Sequence, residues 1–288
     1  MTTPVKVVFL TALAMIAFAA NSILCRIALK QSGIDPATFT VIRITAGALM
    51  LWLIVRLRRT TATSGSAVTS TGNWRSALAL FVYAAGFSFA YISLSAATGA
   101  LLLFGAVQAT MISYGLWSGE RIGRWQVAGL TLACIGIVFL LLPGLSAPPL
   151  AGALLMVCAG IAWGVYSLRA RGAGDPLLVT AGNFMRAVPL ALVFGLTMLS
   201  HSSADPTGVA YAIISGAVAS GLGYAIWYTA LRGLTASTAA TVQLSVPVLA
   251  TVGGMLFLGE PITQRFVLAS VAILGGLALF VLNARRRR

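Results

Sequence analysis

Asp35-Pro36-Ala37-Thr38-Phe39-Thr40 returns 140 residues later as Asp175-Pro176-Leu177-Leu178-Val179-Thr180. A second pair obeys the same interval: Gly119-Glu120, then Ile122 and an apolar run to Leu142, against Gly259-Glu260, then Ile262 and a run to Leu282. Between these anchors both stretches are almost wholly apolar. The chain therefore reads as two copies, residues 1–145 and 146–288. If each copy holds an odd number of spanning helices, the copies run in opposite senses. That is the arrangement of membrane transporters whose site lies between inverted repeats.

The composition sets the solvent. The chain is 59% hydrophobic and 8% charged, with a mean hydropathy of +0.97, and a soluble domain of this length needs a more charged surface. Cys25, Cys134 and Cys158 stand apart in apolar runs without disulfide or metal spacing, so no cofactor or metal is expected. The net charge of +14 comes from basic residues at the ends of apolar segments. That placement governs topology and makes no nucleic-acid surface.

A spanning helix takes roughly 20 apolar residues. Ten such runs can be drawn, about 5–29, 37–55, 74–95, 99–117, 124–142, 149–169, 177–199, 207–231, 236–257 and 264–282. The expected fold is an all-α integral membrane protein of ten transmembrane helices, in two inverted five-helix repeats. Thr60 to Asn73 reads as a polar, flexible loop. The first run is too long for a signal-peptide core and is expected to be retained. With the N-terminus cytoplasmic, the inner side receives Lys6, Arg56, Arg58, Arg59, Arg75, Arg121, Arg124, Arg169, Arg171, Arg232 and Arg285 to Arg288. The outer side receives only Arg26, Lys30 and Arg265. Both termini are thus expected in the cytoplasm of a cell housing the protein in its inner membrane.

With its paired Gly-Glu signatures, Arg43 in the second helix and small-residue-rich fourth and ninth helices, the chain resembles the drug/metabolite transporter superfamily, specifically its ten-helix EamA-type exporters. Within that group it is most similar to the YddG-type exporters of aromatic and other neutral amino acids. The resemblance implies a basket of helices around a central cavity, lined by the first, third and fourth helices of each half. It also implies that the fifth and tenth helices lie at the periphery, where they mediate dimers in some relatives. A homodimer is therefore possible, with a monomer sufficient.

Tyr83, Phe87 and Tyr91 recur at i, i+4 and i+8 and share one helix face. Tyr224, Trp227 and Tyr228 form a second cluster, and Trp163 and Tyr166 a third. A wall of Tyr and Trp offers apolar faces with hydroxyl and indole donors, which suits an amino acid. Tyr91 and Tyr228 lie near helix ends and fit either this wall or an interfacial belt. Trp52, Trp74, Trp117 and Trp125 fit the belt. Asn21, Gln108 and Gln243 are amides within spans, which must find a partner helix or a substrate. Arg43 can snorkel outward; both it and Arg186 are expected to bond a carbonyl or line a water-filled gap, with carboxylate binding the alternative for Arg186. Pro247, Gly221 and Gly223 are candidate hinges.

The five acidic residues lie at or beyond segment ends and His201 in a loop, so no buried proton relay is expected and transport should run down the substrate gradient. The spans hold no nucleophile–base pair or metal cluster for an intramembrane enzyme. The expected function is export of amino acids, aromatic and neutral, by alternating access. The alternative is a broader drug or metabolite exporter.

Overall fold

The computed structural model describes residues 4–59, 71–119, 123–144, 147–170, 174–234 and 236–284. Glu120, Arg121, Arg171, most of the polar insert and the arginine tail lie outside the described residues. All described secondary structure is helical. The helices are α1 Pro4–Gln31, α2 Pro36–Arg59, α3 Trp74–Ala90, α4 Ala96–Trp117, α5 Arg124–Leu141, α6 Leu150–Ala170 and α7 Pro176–Thr197. They continue as α8 Pro206–Leu231, α9 in two pieces, Ala236–Gln243 and Ser245–Leu258, and α10 Gln264–Ala284. Among the described residues nine helices are long and apolar enough to cross a membrane. The 17 residues of α3 span about 26 Å, close to the hydrocarbon thickness.

The repeated Asp-Pro pair is a helix start. Asp35 Oδ1 accepts from the backbone N–H of Ala37 and Thr38 at 2.9 and 3.0 Å, and Asp175 Oδ1 accepts from Leu177 at 2.9 Å. The proline follows at the first helical position, where no N–H is needed. Asp205-Pro206 opens α8 in the same way. The glycine of the Gly-Glu pair is a helix stop: Gly259 ends α9 at φ 60°, which disfavours any side chain. Burial raises the Asp35 carboxyl, yet hydrogen bonds from Thr38, Ser203 and Ala37 outweigh it and hold the group below its ordinary 3.8.

Three local features depart from the sequence reading. First, the run 74–95 is helical only to Ala90. The Tyr91 and Ile92 carbonyls turn to accept from Arg26 Nη1 at 2.8 and 2.9 Å, and Ser95 caps the next helix. Second, α8 widens into a π-helical stretch at Ser215–Leu222. Gly216 in this stretch lies against the Arg43 backbone so closely that a Cβ would collide with it. Third, α9 breaks at Leu244, three residues before Pro247, whose ring nitrogen cannot complete the helical ladder.

α3 and α4 pack on α6, α1 on α8 and α9, and α2 on α7 and the π stretch of α8. α5 and α10 form a tight peripheral pair, where Gly129 and Gly276 bring the two backbones into contact. Gly129, Gly136 and Gly276 are thus occupied within one chain. Apolar side chains such as Leu256, Val271 and Val138 face outward, as lipid contact requires.

Candidate functional site

A column of aromatic rings runs through the bundle. Tyr228 stacks on Tyr224 at 6.0 Å, and Tyr224 meets Phe18 at 5.6 Å. Phe18 meets Trp163 edge-on at 6.1 Å, Trp163 stacks on Tyr83 at 5.3 Å, and Tyr83 leads through Phe87 to Tyr91. The column divides the interior into three levels.

At the face holding the chain's N-terminus lies a cavity of about 370 Å3. Gln108 and Gln243 place amides on its wall, and Trp163, Tyr166, Tyr224, Trp227 and Tyr228 supply the aromatic surface. The break in α9 follows Gln243 directly, so the residue presents itself at a helix end. At the mid-level the interior narrows to about 10 Å3 between Phe18, Phe104, Trp163 and Tyr83, which admits nothing larger than a water. Asn21 and Phe87 also line this neck. At the opposite face a second cavity of about 280 Å3 is lined by Arg26, Lys30, Ser95 and Glu260.

An ion pair sits beneath that second cavity. Arg26 Nε donates to Glu260 Oε1 at 3.0 Å, and Glu260 Oε2 accepts from the Ala96 N–H at 2.8 Å. With the Tyr91 and Ile92 carbonyls also on Arg26, one cluster ties α1, the end of α3, the start of α4 and the α9–α10 turn. Tyr91 lines none of the three spaces; fully buried, it packs on Phe87 at 4.7 Å and over Gly99.

Arg43 does not snorkel. It is 3% exposed, donates from Nη2 to Tyr83 Oη at 2.8 Å and lies 4.6 Å over the Phe87 ring. The Tyr83 hydroxyl and the Phe87 ring hold the guanidinium inside the bundle instead. Asn21 Nδ2 donates to the same Tyr83 oxygen at 3.4 Å, and Asn21 Oδ1 accepts from Ser215 Oγ at 2.7 Å. Arg186 instead bonds the carbonyls of Thr71 and Gly182 at 2.6 and 3.0 Å, fastening α7 to the segment before α3. Trp52, Trp74, Trp117 and Trp125 are exposed on the outside of the bundle. Sequence reasoning passed over Phe18 and Phe104; they lie three residues before Asn21 and four before Gln108, helical offsets that would have flagged them.

A multi-pass helical bundle with an interior cavity closed at mid-membrane is the architecture of a membrane transporter. The model of the EamA-like transporter family matches residues 150–282. An uncharacterized protein of Pseudomonas aeruginosa is 56% identical over 96% of this chain and 94% of its own. The chain belongs to the EamA-like transporter family of the drug/metabolite transporter superfamily, whose members are transporters and not enzymes. It is also similar to the threonine/homoserine exporter RhtA of Salmonella typhimurium, at 37% identity over 54% of this chain. That likeness spans about half the exporter, 55% of its length. A solved crystal structure shares the fold with a TM-score of 0.65 at 18% identity, covering 96% of this chain and 99% of the other.

Proposed function

We propose that this protein exports neutral amino acids from the cytoplasm by alternating access. The cavity of about 370 Å3 carries the reading: it is large enough for an amino acid, aromatic on its faces and amide-bearing at Gln108 and Gln243. Aromatic and other flat apolar side chains suit the Tyr224–Tyr228 stack. The partial likeness to a threonine/homoserine exporter favours small hydroxylated amino acids as a second group. Tyr83, Phe87, Trp163, Tyr166 and Trp227 are proposed as further contacts, and Tyr91 as a wall that seals rather than binds.

The basic residues support a cytoplasmic N-terminal face. Lys6, Arg56, Arg58, Arg75, Arg124, Arg169 and Arg232 lie on or beside helix ends of that face, against Arg26, Lys30 and Arg265 at the other. On this reading the wider cavity faces the cytoplasm, and the Arg26–Glu260 pair is proposed as the latch of the outer side. The contacts support two inverted repeats, since exchanging α1–α5 with α6–α10 turns each major pairing into another that is present: α3 on α6 becomes α8 on α1, and α4 on α6 becomes α9 on α1. The π stretch with Gly221 and Gly223, and the break before Pro247, are the proposed bending points. Transport is proposed to follow the substrate gradient, because the described carboxylates cap helices or pair with Arg26 and Arg232. One chain walls the whole cavity, so the monomer is the proposed transporting unit.

Uptake of labelled amino acids into proteoliposomes tests the reading, with aromatic, aliphatic, hydroxylated and charged competitors. Saturable uptake inhibited by neutral amino acids is expected. Uptake of cationic dyes with none of any amino acid would replace it with a drug exporter.

A further inference from the structure

Arg43 is a buried cation with no carboxylate paired to it among the described residues. Arg43 Nη2 is held by Tyr83 Oη at 2.8 Å, whereas Nη1 is buried with no hydrogen-bond partner. The Phe87 face beneath the guanidinium compensates only part of its lost hydration. Tyr83 Oη already accepts from Arg43 and from Asn21, so its own hydrogen is available to donate. Arg43 Nη1–H and Tyr83 Oη–H are thus donors on two bonded side chains with no acceptor shown for either among the described residues; Tyr83 lines the neck and Arg43 sits directly behind it. The described carboxylates are engaged elsewhere: Asp35, Asp175 and Asp205 cap helices, and Glu260 holds Arg26. A guanidinium removed from water calls for a charged acceptor, and planar two-point contact is the geometry a carboxylate offers.

We propose that Arg43 and Tyr83 anchor the carboxylate of the transported molecule, one oxygen on Arg43 Nη1 and the other on the Tyr83 hydroxyl. The proposal rests on the amino-acid reading of the cavity and narrows it, because a free carboxylate becomes obligatory. Tyr83 lines the neck, and Phe18 and Trp163 close it. The anchor is therefore reached from the wide cavity as those two rings part, and the carboxylate leads the molecule toward the far side. Arg186 cannot substitute, since its guanidinium is fixed on the Thr71 and Gly182 carbonyls.

The test is binding to the purified full chain in lipid nanodiscs, read by tryptophan fluorescence and by thermal shift. The probes are L-threonine and L-phenylalanine, their carboxamides, and phenylacetate and lactate. In the wild type the amides should bind on the order of ten- to a hundred-fold more weakly than the acids. Arg43→Gln should bring acid affinity down to that of the amide while leaving the amide unchanged, and Arg43→Lys should fall between. If Arg43→Gln does not fold, Tyr83→Phe, which removes one oxygen, must still narrow the acid-to-amide ratio. Equal binding of acids and amides by the wild type overturns the anchor and leaves the amino-acid reading standing. Arg43-dependent binding of phenylacetate or lactate without amino acids keeps the anchor and overturns that reading. No carboxylate binding at all overturns both.

Discussion

Replacing Glu260 with Gln should loosen the face opposite the N-terminus without dismantling it. The carboxylate is 8% exposed and takes Arg26 Nε at 3.0 Å and the Ala96 N–H at 2.8 Å. Glutamine is nearly isosteric, so one amide oxygen can still accept while the charge is lost. Arg26 keeps the Tyr91 and Ile92 carbonyls at 2.8 and 2.9 Å, so it is not left bare. The loss is then the charge-assisted part of two hydrogen bonds, about 1–2 kcal/mol, well under the cost of deleting one partner of a buried pair. On the latch reading the cluster breaks when this end opens, so that loss should shift the closed-to-open ratio by a factor of about 5–30. The assay places a single cysteine at Ala97, on the wall of the far cavity, in a background lacking Cys25, Cys134 and Cys158. Labelling by an impermeant maleimide from the far side should accelerate by that factor in Glu260→Gln. A lower melting temperature with unchanged labelling would show the pair to be a structural brace and refute the latch.

Further substitutions probe the scaffold. Pro247→Ala restores a backbone donor near the α9 break; turnover should change severalfold while stability shifts by less than about 1 kcal/mol, and unaltered transport would remove α9 from the moving parts. Gly276→Val drives a side chain into the Gly129 carbonyl and should cost about 1–3 kcal/mol, seen as a lower melting temperature and early loss of the α5–α10 pair in hydrogen exchange. Asp35 is held below 3.8 in the fold, so its hydrogen bonds contribute stability that is present above the unfolded value and lost as pH falls through the folded one. Melting temperature should therefore decline below about pH 4, and Asp35→Asn should flatten that part of the profile.

Much of the fold is legible because membrane helices must satisfy their own backbone. Nine of the ten apolar runs became helices long enough to cross a membrane and the tenth a shorter apolar helix, α3, and the Asp-Pro pairs became capped starts because their chemistry is local. What failed to show in the sequence depends on neighbours. Nothing between Tyr91 and Ser95 forbids helix; Arg26, 65 residues before Tyr91 in the chain contact it makes, takes the carbonyls that would continue it. The π stretch needs α2 pressed against Gly216. Arg43 illustrates the limit at the site: its depth could be counted from Pro36, but its direction was decided by the Tyr83 hydroxyl on another helix.

The two proposed copies share a scaffold and differ in how their ends are secured. The 140-residue interval carries Pro36 onto Pro176 and carries Arg26 onto Tyr166. On the far face Arg26 reaches Glu260 and the turn after α3. At the corresponding position Tyr166 brings a phenol that lies 3.5 Å from Thr180 and lines the wide cavity. The Arg26–Glu260 pair at one end is buried at 3.0 Å, whereas the ion pair at the other, Arg232 to Asp175 at 3.9 Å, is exposed. On the latch reading, opening the far end separates a buried, charge-assisted pair, whereas the long, exposed Arg232–Asp175 pair holds the N-terminal end only weakly. A preference for the N-terminal opening would follow from this difference, with Arg26 standing where the second proposed copy has Tyr166. A substrate whose carboxylate is drawn to Arg43, beyond the neck, would supply the free energy that the latch withholds.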